Sequence, residues 1–206
     1  MFRILFSLLV VSFSFAQQTD KVDFIKCDAS VYPYASEKSI DGDVVYEFKV
    51  KKAIDTIKID AKNMEFSGVM INGKSVKFKN SGKTLDLFEG FKKGKNTLTF
   101  RYSAKPKQTL YFTGQDENLQ IWTQGQGRYT SHWLPSFDDV NEKVIFNISI
   151  AFKESFKFFS NGDFKSSILT ETANLKYFEM QKPMSSYLVM LAIGNFAKKT
   201  TTTKSG

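Results

Sequence analysis

Hydrophobic and polar residues alternate with a period of two along most of the chain. In the segment DGDVVYEFKVKK, Val44, Tyr46, Phe48 and Val50 fall on one side, and charged residues fall on the other. The same pattern recurs at residues 57–60, 96–103 and 144–152. Such alternation predicts strands with one face on a core and the other face in solvent.

Turn signals separate these runs. Asn72-Gly73 lies between apolar flanks and predicts a tight hairpin, because both positions of such a turn need positive φ. Asn161-Gly162 predicts a second hairpin, and the run YLVMLAIGNF at 187–196 predicts a strong strand. No long window keeps an apolar face at helical spacing, so we expect an all-β sandwich of mostly antiparallel strands with little helix.

Residues 1–16 have the order of a secretory signal peptide. Arg3 precedes an apolar run at 4–11, and small residues end at Ala16. We expect cleavage after Ala16, a mature domain at 17–206, and a secreted or periplasmic location. No other segment is apolar enough to predict a membrane span.

Composition supports a packed core, since 42% of residues are hydrophobic and 21 are Phe. The net charge of +8 comes from lysines spread along alternating strands, not interleaved with aromatic residues in a binding repeat. We therefore expect no nucleic-acid partner. Cys27 is the single cysteine, so no internal disulfide is possible, and we expect it to be half-buried on a strand.

The segment TQGQGRYTSHWLPSFDD is polar and flexible, although apolar runs flank it. Its Thr123, Gln124 and Gln126, followed by Trp133-Leu134-Pro135 and Phe137-Asp138-Asp139, resemble a motif of the aminopeptidase N family of zinc metallopeptidases. Three further motifs agree in order: the strand pair ending at Asn72-Gly73, the turn FFSNGD, and MSSYL at 184–188. The resemblance spans nearly all of the mature chain.

The resemblance implies that this chain is the saddle-shaped N-terminal β-sandwich domain of such an enzyme. A thermolysin-like catalytic domain follows it in the family, holds zinc through His-Glu-x-x-His and a distal Glu, and removes N-terminal residues from peptides. The present sequence has one histidine and no His-Glu-x-x-His, so we assign it no catalytic residue and no metal ligand. We expect zinc only in the full-length enzyme and no activity from this chain alone.

The resemblance also assigns a substrate-binding set, Gln124, Gly125 and Gln126. The residue matching Gln126 contacts the N-terminal residue of the peptide substrate in the family. A glutamine carbonyl oxygen can accept from an α-ammonium group, while its NH₂ donates to a peptide carbonyl. Gly125 and Gly127 let the backbone approach a ligand closely.

Other residues of the segment have structural interpretations. Ser131-His132 stand where many relatives have two arginines, so an ion pair that pins the loop in relatives is in doubt here. We interpret His132 as a packing or capping residue, and Asp138 and Asp139 as loop anchors. We expect Trp122 and Trp133 in the core, and expect Thr123 and Gln124 to bond the loop backbone.

Two functions fit these observations. The first is the N-terminal domain of an exported zinc metallo-aminopeptidase, which completes the substrate pocket and supports the catalytic domain. The alternative is a stand-alone secreted β-sandwich binding module without enzymatic activity. Under the first, the surface that docks on the catalytic domain is exposed in the isolated chain, so we expect weak association or aggregation.

Overall fold

The computed structural model describes residues 18–153, 155–197, 199 and 201. The predicted signal peptide, residues 1–16, lies outside this part of the chain. The 16 strands are β1 Val22–Tyr34, β2 Ser39–Val50, β3 Ile57–Asp60, β4 Met64–Ile71, β5 Lys74–Ser75, β6 Phe78–Asn80, β7 Thr84–Leu87, β8 Gly94–Ala104, β9 Leu110–Thr113, β10 Gln120–Thr123, β11 Lys143–Phe152, β12 Lys157–Ser160, β13 Asp163–Leu169, β14 Asn174–Glu179, β15 Met184–Ser185 and β16 Leu191–Gly194. Four 3₁₀ helices are also described: η1 Gln18–Asp20, η2 Asp116–Asn118, η3 Thr130–His132 and η4 Ser186–Leu188.

The strands form three sheets. A nine-stranded sheet has the order β13-β14-β11-β1-β2-β8-β4-β5, and β15 joins it by pairing with β11. A four-stranded sheet has the order β12-β16-β10-β9, and a three-stranded sheet has the order β3-β7-β6. Among the strand pairs described, β1 and β11 run parallel and the others antiparallel. The predicted all-β class with mostly antiparallel strands is confirmed. None of the described helices is long and apolar enough to cross a membrane.

The core lies where the alternation predicts it. Val44, Tyr46, Phe48 and Val50 on β2 are each at most 5% exposed, as are the inward positions of β8 and the first four of β11. Burial of such side chains contributes about 25 cal/mol per Å² of apolar surface and is the main stabilising term. No disulfide is needed to explain a fold that buries this much apolar surface.

An aromatic cluster fixes residues 133–137 against the large sheet. The ring centroids of Phe24 and Phe137 are 4.4 Å apart, and those of Phe24 and Phe48 are 5.2 Å apart. The Tyr46 hydroxyl donates a 2.7 Å hydrogen bond to the carbonyl of Pro135. The segment that follows the polar loop is therefore anchored in the core, and this anchor sets the direction in which the loop leaves the sandwich.

The hairpin predicted at Asn72-Gly73 is confirmed. Asn72 has φ of 52° and Gly73 has φ of 76°, and the turn joins the paired strands β4 and β5. The hairpin predicted at Asn161-Gly162 is wrong, because β12 pairs with β16 while β13 pairs with β14. The Asn161 side chain instead accepts a 2.7 Å bond from the backbone N–H of Met190, so this turn passes the chain between two sheets.

Two further sequence interpretations need correction. Tyr187 and Leu188 do not belong to a strand, since they lie in η4 and are 38% and 48% exposed; the strand begins at Leu191. Cys27 is fully buried rather than half-buried, because it faces the core from β1 beside Tyr46. Burial raises the pKa of the Cys27 thiol far above its usual range, so this residue acts as a small core hydrophobe.

Candidate functional site

The candidate site is the tip loop, residues 124–129, which joins β10 to η3. The side chains of Gln124, Gln126, Arg128 and Tyr129 are exposed. Within the described residues, neither glutamine side chain forms a hydrogen bond, so their amide groups remain available to a ligand. All three residues of the predicted set, Gln124, Gly125 and Gln126, therefore lie together on one solvent-facing loop.

Hydrogen bonds hold both ends of the tip loop. At its start, the Thr123 hydroxyl accepts a 3.0 Å bond from the N–H of Leu191 and lies 3.3 Å from its carbonyl oxygen. The backbone N–H of Gln124 donates to the carbonyl of Thr109 at 2.8 Å. Thr123 thus bonds β16 and not the loop's own backbone, which corrects the prediction, and Gln124 contributes a main-chain bond only.

At its end, the loop is tied to η4. The buried Thr130 hydroxyl donates a 3.0 Å bond to the carbonyl of Ser186, and the Ser186 hydroxyl donates to the carbonyl of Phe137. A Cβ at Gly125 would overlap the carbonyl oxygen of Tyr187, so only glycine allows this approach. The backbone carbonyls of Ser186 and Tyr187 in η4 therefore contact the tip loop and hold it in place.

A polar network fixes the base of the loop below η3. The Ser131 hydroxyl donates to Asp138 Oδ2 at 3.1 Å, and Lys62 Nζ lies 3.3 Å from the same oxygen. The backbone N–H of Asp138 donates to Asp60 Oδ2 at 2.8 Å. Burial, and then the nearby Asp60 charge, raise the pKa of Asp138 above its ordinary value. The anchoring interpretation of Asp138 agrees with these contacts.

Asp139 and His132 have structural contacts as well. Asp139 Oδ1 accepts the backbone N–H of Asn141 at 2.9 Å, which closes the turn before β11. His132 Nε2 lies 2.8 Å from the side-chain nitrogen of Gln108, and its ring centroid is 5.9 Å from that of Tyr129. Burial, and then the Lys62 charge, lower the pKa of His132, so the ring is neutral at pH 7. These contacts match the packing role predicted for His132.

The two tryptophans differ. Trp133 is fully buried, as predicted. Trp122 is only half-buried, and its ring packs against Tyr111 with centroids 4.8 Å apart, so the prediction that it is a core residue is wrong.

The described residues do not fit a zinc site. They include no group of three or more His, Cys, Asp or Glu placed to hold a metal ion. His132 Nε2 is in hydrogen-bond contact with the Gln108 side chain, and the Cys27 thiol is buried in the core with a raised pKa. No metal ligand and no chemical step at a metal is therefore assigned to the described residues.

Sequence reasoning missed two features, one beside the tip loop and one in a separate part of the fold. Tyr187 and Leu188 were identified within the MSSYL motif. Because they were predicted to lie in a strand, their exposure beside the tip loop was not expected. Glu142 gave no signal, since a glutamate in the polar stretch VNEK is typical of a solvated turn. It is nevertheless only 3% exposed, and its Oε1 accepts a hydrogen bond from the backbone N–H of Phe24 near the start of β1.

Comparison with known proteins places this fold. Residues 25–188 match the model of the peptidase M1 N-terminal domain. Probable aminopeptidase 1 of Sulfurisphaera tokodaii is 28% identical over 166 residues, which cover 78% of this chain and 20% of that protein. Aminopeptidase N of Lactococcus lactis is 26% identical over 180 residues, which cover 82% of this chain and 20% of that protein. The chain thus spans about a fifth of the length of these curated relatives.

The solved structure of an M1 zinc metallopeptidase from Deinococcus radiodurans has the same fold. It superposes with a TM-score of 0.75 at 17% identity, covering 84% of this chain and 42% of that chain. A mutant of that metallopeptidase was solved bound to a Tyr-Ser-Ala substrate with the same TM-score. The family model covers most of the sequence, and the chain therefore belongs to the peptidase M1 N-terminal domain family.

Proposed function

We propose that this domain is the N-terminal part of an exported zinc metallo-aminopeptidase and that its tip loop completes the pocket for the substrate's N-terminus. The observation that carries the proposal is the exposed Gln126, on a loop whose two ends are fixed by Thr123 and Thr130. Because both ends of the loop are fixed, the side-chain amide of Gln126 is held at a constant position. Recognition of one end of a peptide requires such a fixed group.

The chemistry of Gln126 suits a peptide N-terminus. Its amide oxygen accepts a hydrogen bond from an α-ammonium group, and its NH₂ donates to a peptide carbonyl. Because the amide is neutral, Gln126 recognises the ammonium through a dipole and does not neutralise its charge. Gly127, with φ of 93°, allows the sharp turn that exposes Gln126.

The partner in this proposal is a zinc-containing catalytic domain, on the same polypeptide or from the full-length enzyme. The relatives named above are called aminopeptidases and are about five times as long as the part matched here. The catalytic domain would supply the zinc ligands and a general base that activates water. The contribution of the present domain is positioning and support.

The proposal includes export. The order of residues in 1–16 supports cleavage after Ala16 and release to the periplasm or the medium. N-terminal sequencing of the product expressed in its native host tests this. A mature chain that begins at Gln17 supports export, whereas retention of Met1 on a cytoplasmic product contradicts it.

The test of the pocket role uses the full-length enzyme that contains this domain. We expect Gln126→Ala to raise KM for unblocked peptides about tenfold, the effect of losing one hydrogen bond to a charged group, with a smaller change in kcat. Gln181→Ala, at an exposed position between β14 and β15, is the matched control. An unchanged KM in Gln126→Ala would refute the role of this residue.

A further inference from the structure

A pocket that is separate from the tip loop lies between the start of β1, the β2–β3 connection and residues 137–142. Its volume is about 660 Å³. Part of the lining is apolar and includes Phe137 and Ile54. The lining also carries four carboxylates and two lysines, which are Asp55, Asp60, Asp139, Glu142, Lys21 and Lys58. The pocket is therefore locally acidic in a chain whose net charge is +8.

Glu142 is the most deeply buried of these carboxylates. Its side chain is 3% exposed, and its Oε1 accepts a 3.2 Å hydrogen bond from the backbone N–H of Phe24. Its Oε2 is buried and has no hydrogen-bond partner, and the same is true of Asp139 Oδ2. Within the described residues, neither carboxylate forms an ion pair. A buried carboxylate oxygen without a partner is strongly disfavoured, so two of them beside one pocket indicate a missing donor.

The chemistry of the pocket indicates what that donor is. The described residues offer no three-ligand group for a metal ion, so a bare divalent cation is not the best fit. A side chain with an alkyl stem and a cationic end fits better, because the pocket has apolar walls at Phe137 and Ile54 and acceptor oxygens at Glu142 and Asp139.

We propose that this pocket binds the cationic end of an arginine or lysine side chain that a protein partner presents. The alkyl stem lies against Phe137 and Ile54, and the guanidinium or ammonium group donates to Glu142 Oε2 and Asp139 Oδ2. Nothing in this proposal depends on the tip loop, so it goes beyond the proposed aminopeptidase function and can fail separately from it.

Protons compete with such a cation at Glu142. Burial raises the pKa of Glu142 to about 7; Asp23 and Asp139 add to this effect, while Lys51 and the Phe24 N–H oppose it. Of the remaining charged groups that line the pocket, Lys21 and Lys58 disfavour a cation, and Asp55 and Asp60 favour one. The carboxylate of Glu142 is fully available only above pH 7, so binding tightens as the pH rises through this value.

The experiment is an NMR titration of the ¹⁵N-labelled chain at about pH 8 and about pH 5. The probes are the N-acetyl methylamides of arginine, lysine and norleucine, and CaCl₂ is titrated separately. The backbone amide of Phe24 is the reporter, because it already bonds Glu142. We expect saturable shifts of this amide with the arginine or lysine probe at the higher pH, and weaker binding at the lower pH.

Variants test the assignment. Glu142→Gln should weaken binding of the basic probe about tenfold or more. Asp139→Asn is the second variant should the first fail to fold. Glu65→Gln, at an exposed position of β4, is the control that should bind normally. An equal response to norleucine, a stronger saturable response to CaCl₂, no saturable shift with either basic probe, or equal binding by Glu142→Gln would each overturn the proposal.

Discussion

The backbone N–H of Phe24 donates a hydrogen bond to Oε1 of Glu142, 118 residues later in the chain. This bond lies next to the start of the parallel pair, where Lys26 of β1 is level with Ile145 of β11. A parallel pair brings together segments that are distant in sequence. The bond from Phe24 to Glu142 joins β1 to the residue just before β11. The same carboxyl group is buried, so its ionisation state affects the stability of the whole sandwich.

Glu142 makes stability depend on pH. Burial raises its pKa from 4.5 to about 7 in the fold, so the folded state favours the protonated form. The folded state is stabilised by its stronger binding of the Glu142 proton. This contribution to the free energy of unfolding is complete below pH 4.5, declines as the pH rises to about 7, and is absent above that value. The glutamine in Glu142→Gln does not ionise, so the variant avoids this loss. We therefore expect its free energy of unfolding, relative to that of the wild type, to rise by about 2 kcal/mol as the pH increases from 4.5 to about 7.

Urea denaturation in ligand-free buffer at about pH 5 and about pH 8 measures this difference. Glu65→Gln replaces an exposed glutamate, and its effect should be the same at both values. A difference between Glu142→Gln and the wild type that does not change with pH would show that the buried carboxyl group is not the source of the dependence.

Thr130 should hold the tip loop in place. Thr130→Val keeps the shape but removes the 3.0 Å bond to the carbonyl of Ser186, where both groups are buried. We expect a loss of about 1–2 kcal/mol in unfolding free energy and faster tryptic cleavage after the exposed Arg128. Thr113→Val is the control, since its bond is exposed and 3.5 Å long, and it should cost under about 0.5 kcal/mol. Equal cleavage rates in the two variants would contradict this role.

Much of the fold was predictable because its signals are local. Alternation along β2 and β8 predicted the buried face directly, and Asn72-Gly73 set its own turn through the positive φ of both residues. The same dipeptide at Asn161-Gly162 misled, because the partner of β12 is β16, about thirty residues away, and no local pattern records that pairing.

The candidate site was only partly predictable. The exposure of Gln124 and Gln126 agrees with their polar context, but the anchors of the loop do not show in the sequence. Thr123 bonds β16, and Thr130 bonds η4, and both contacts depend on how the sheets meet. Tyr187 was misplaced because a continuous apolar run does not show where a strand is interrupted by a single 3₁₀ turn.

Gly125 should be the least replaceable residue of the tip loop. A Cβ there would overlap the backbone carbonyl of Tyr187, so Gly125→Ala must move the loop away from η4. We expect a cost of about 2–3 kcal/mol, measured by urea denaturation, with shifted NMR signals for Tyr187 and Leu188. Gly82→Ala has open space around it and a φ of 75°, so it should cost only about 1 kcal/mol. A smaller loss for Gly125→Ala than for this control would contradict the contact.

Edge strand β13 should promote weak self-association of the isolated chain. Among the described strands it pairs only with β14, and its Phe164, Ile168 and Leu169 are 56–59% exposed. Unpaired edges with apolar side chains tend to associate. We expect sedimentation equilibrium to show a concentration-dependent rise in mass that Ile168→Lys reduces. Phe88→Lys, at a 46% exposed site outside this strand, should leave the rise unchanged. Monomeric behaviour of the wild type at high concentration, or equal effects of the two variants, would show that this edge is not responsible.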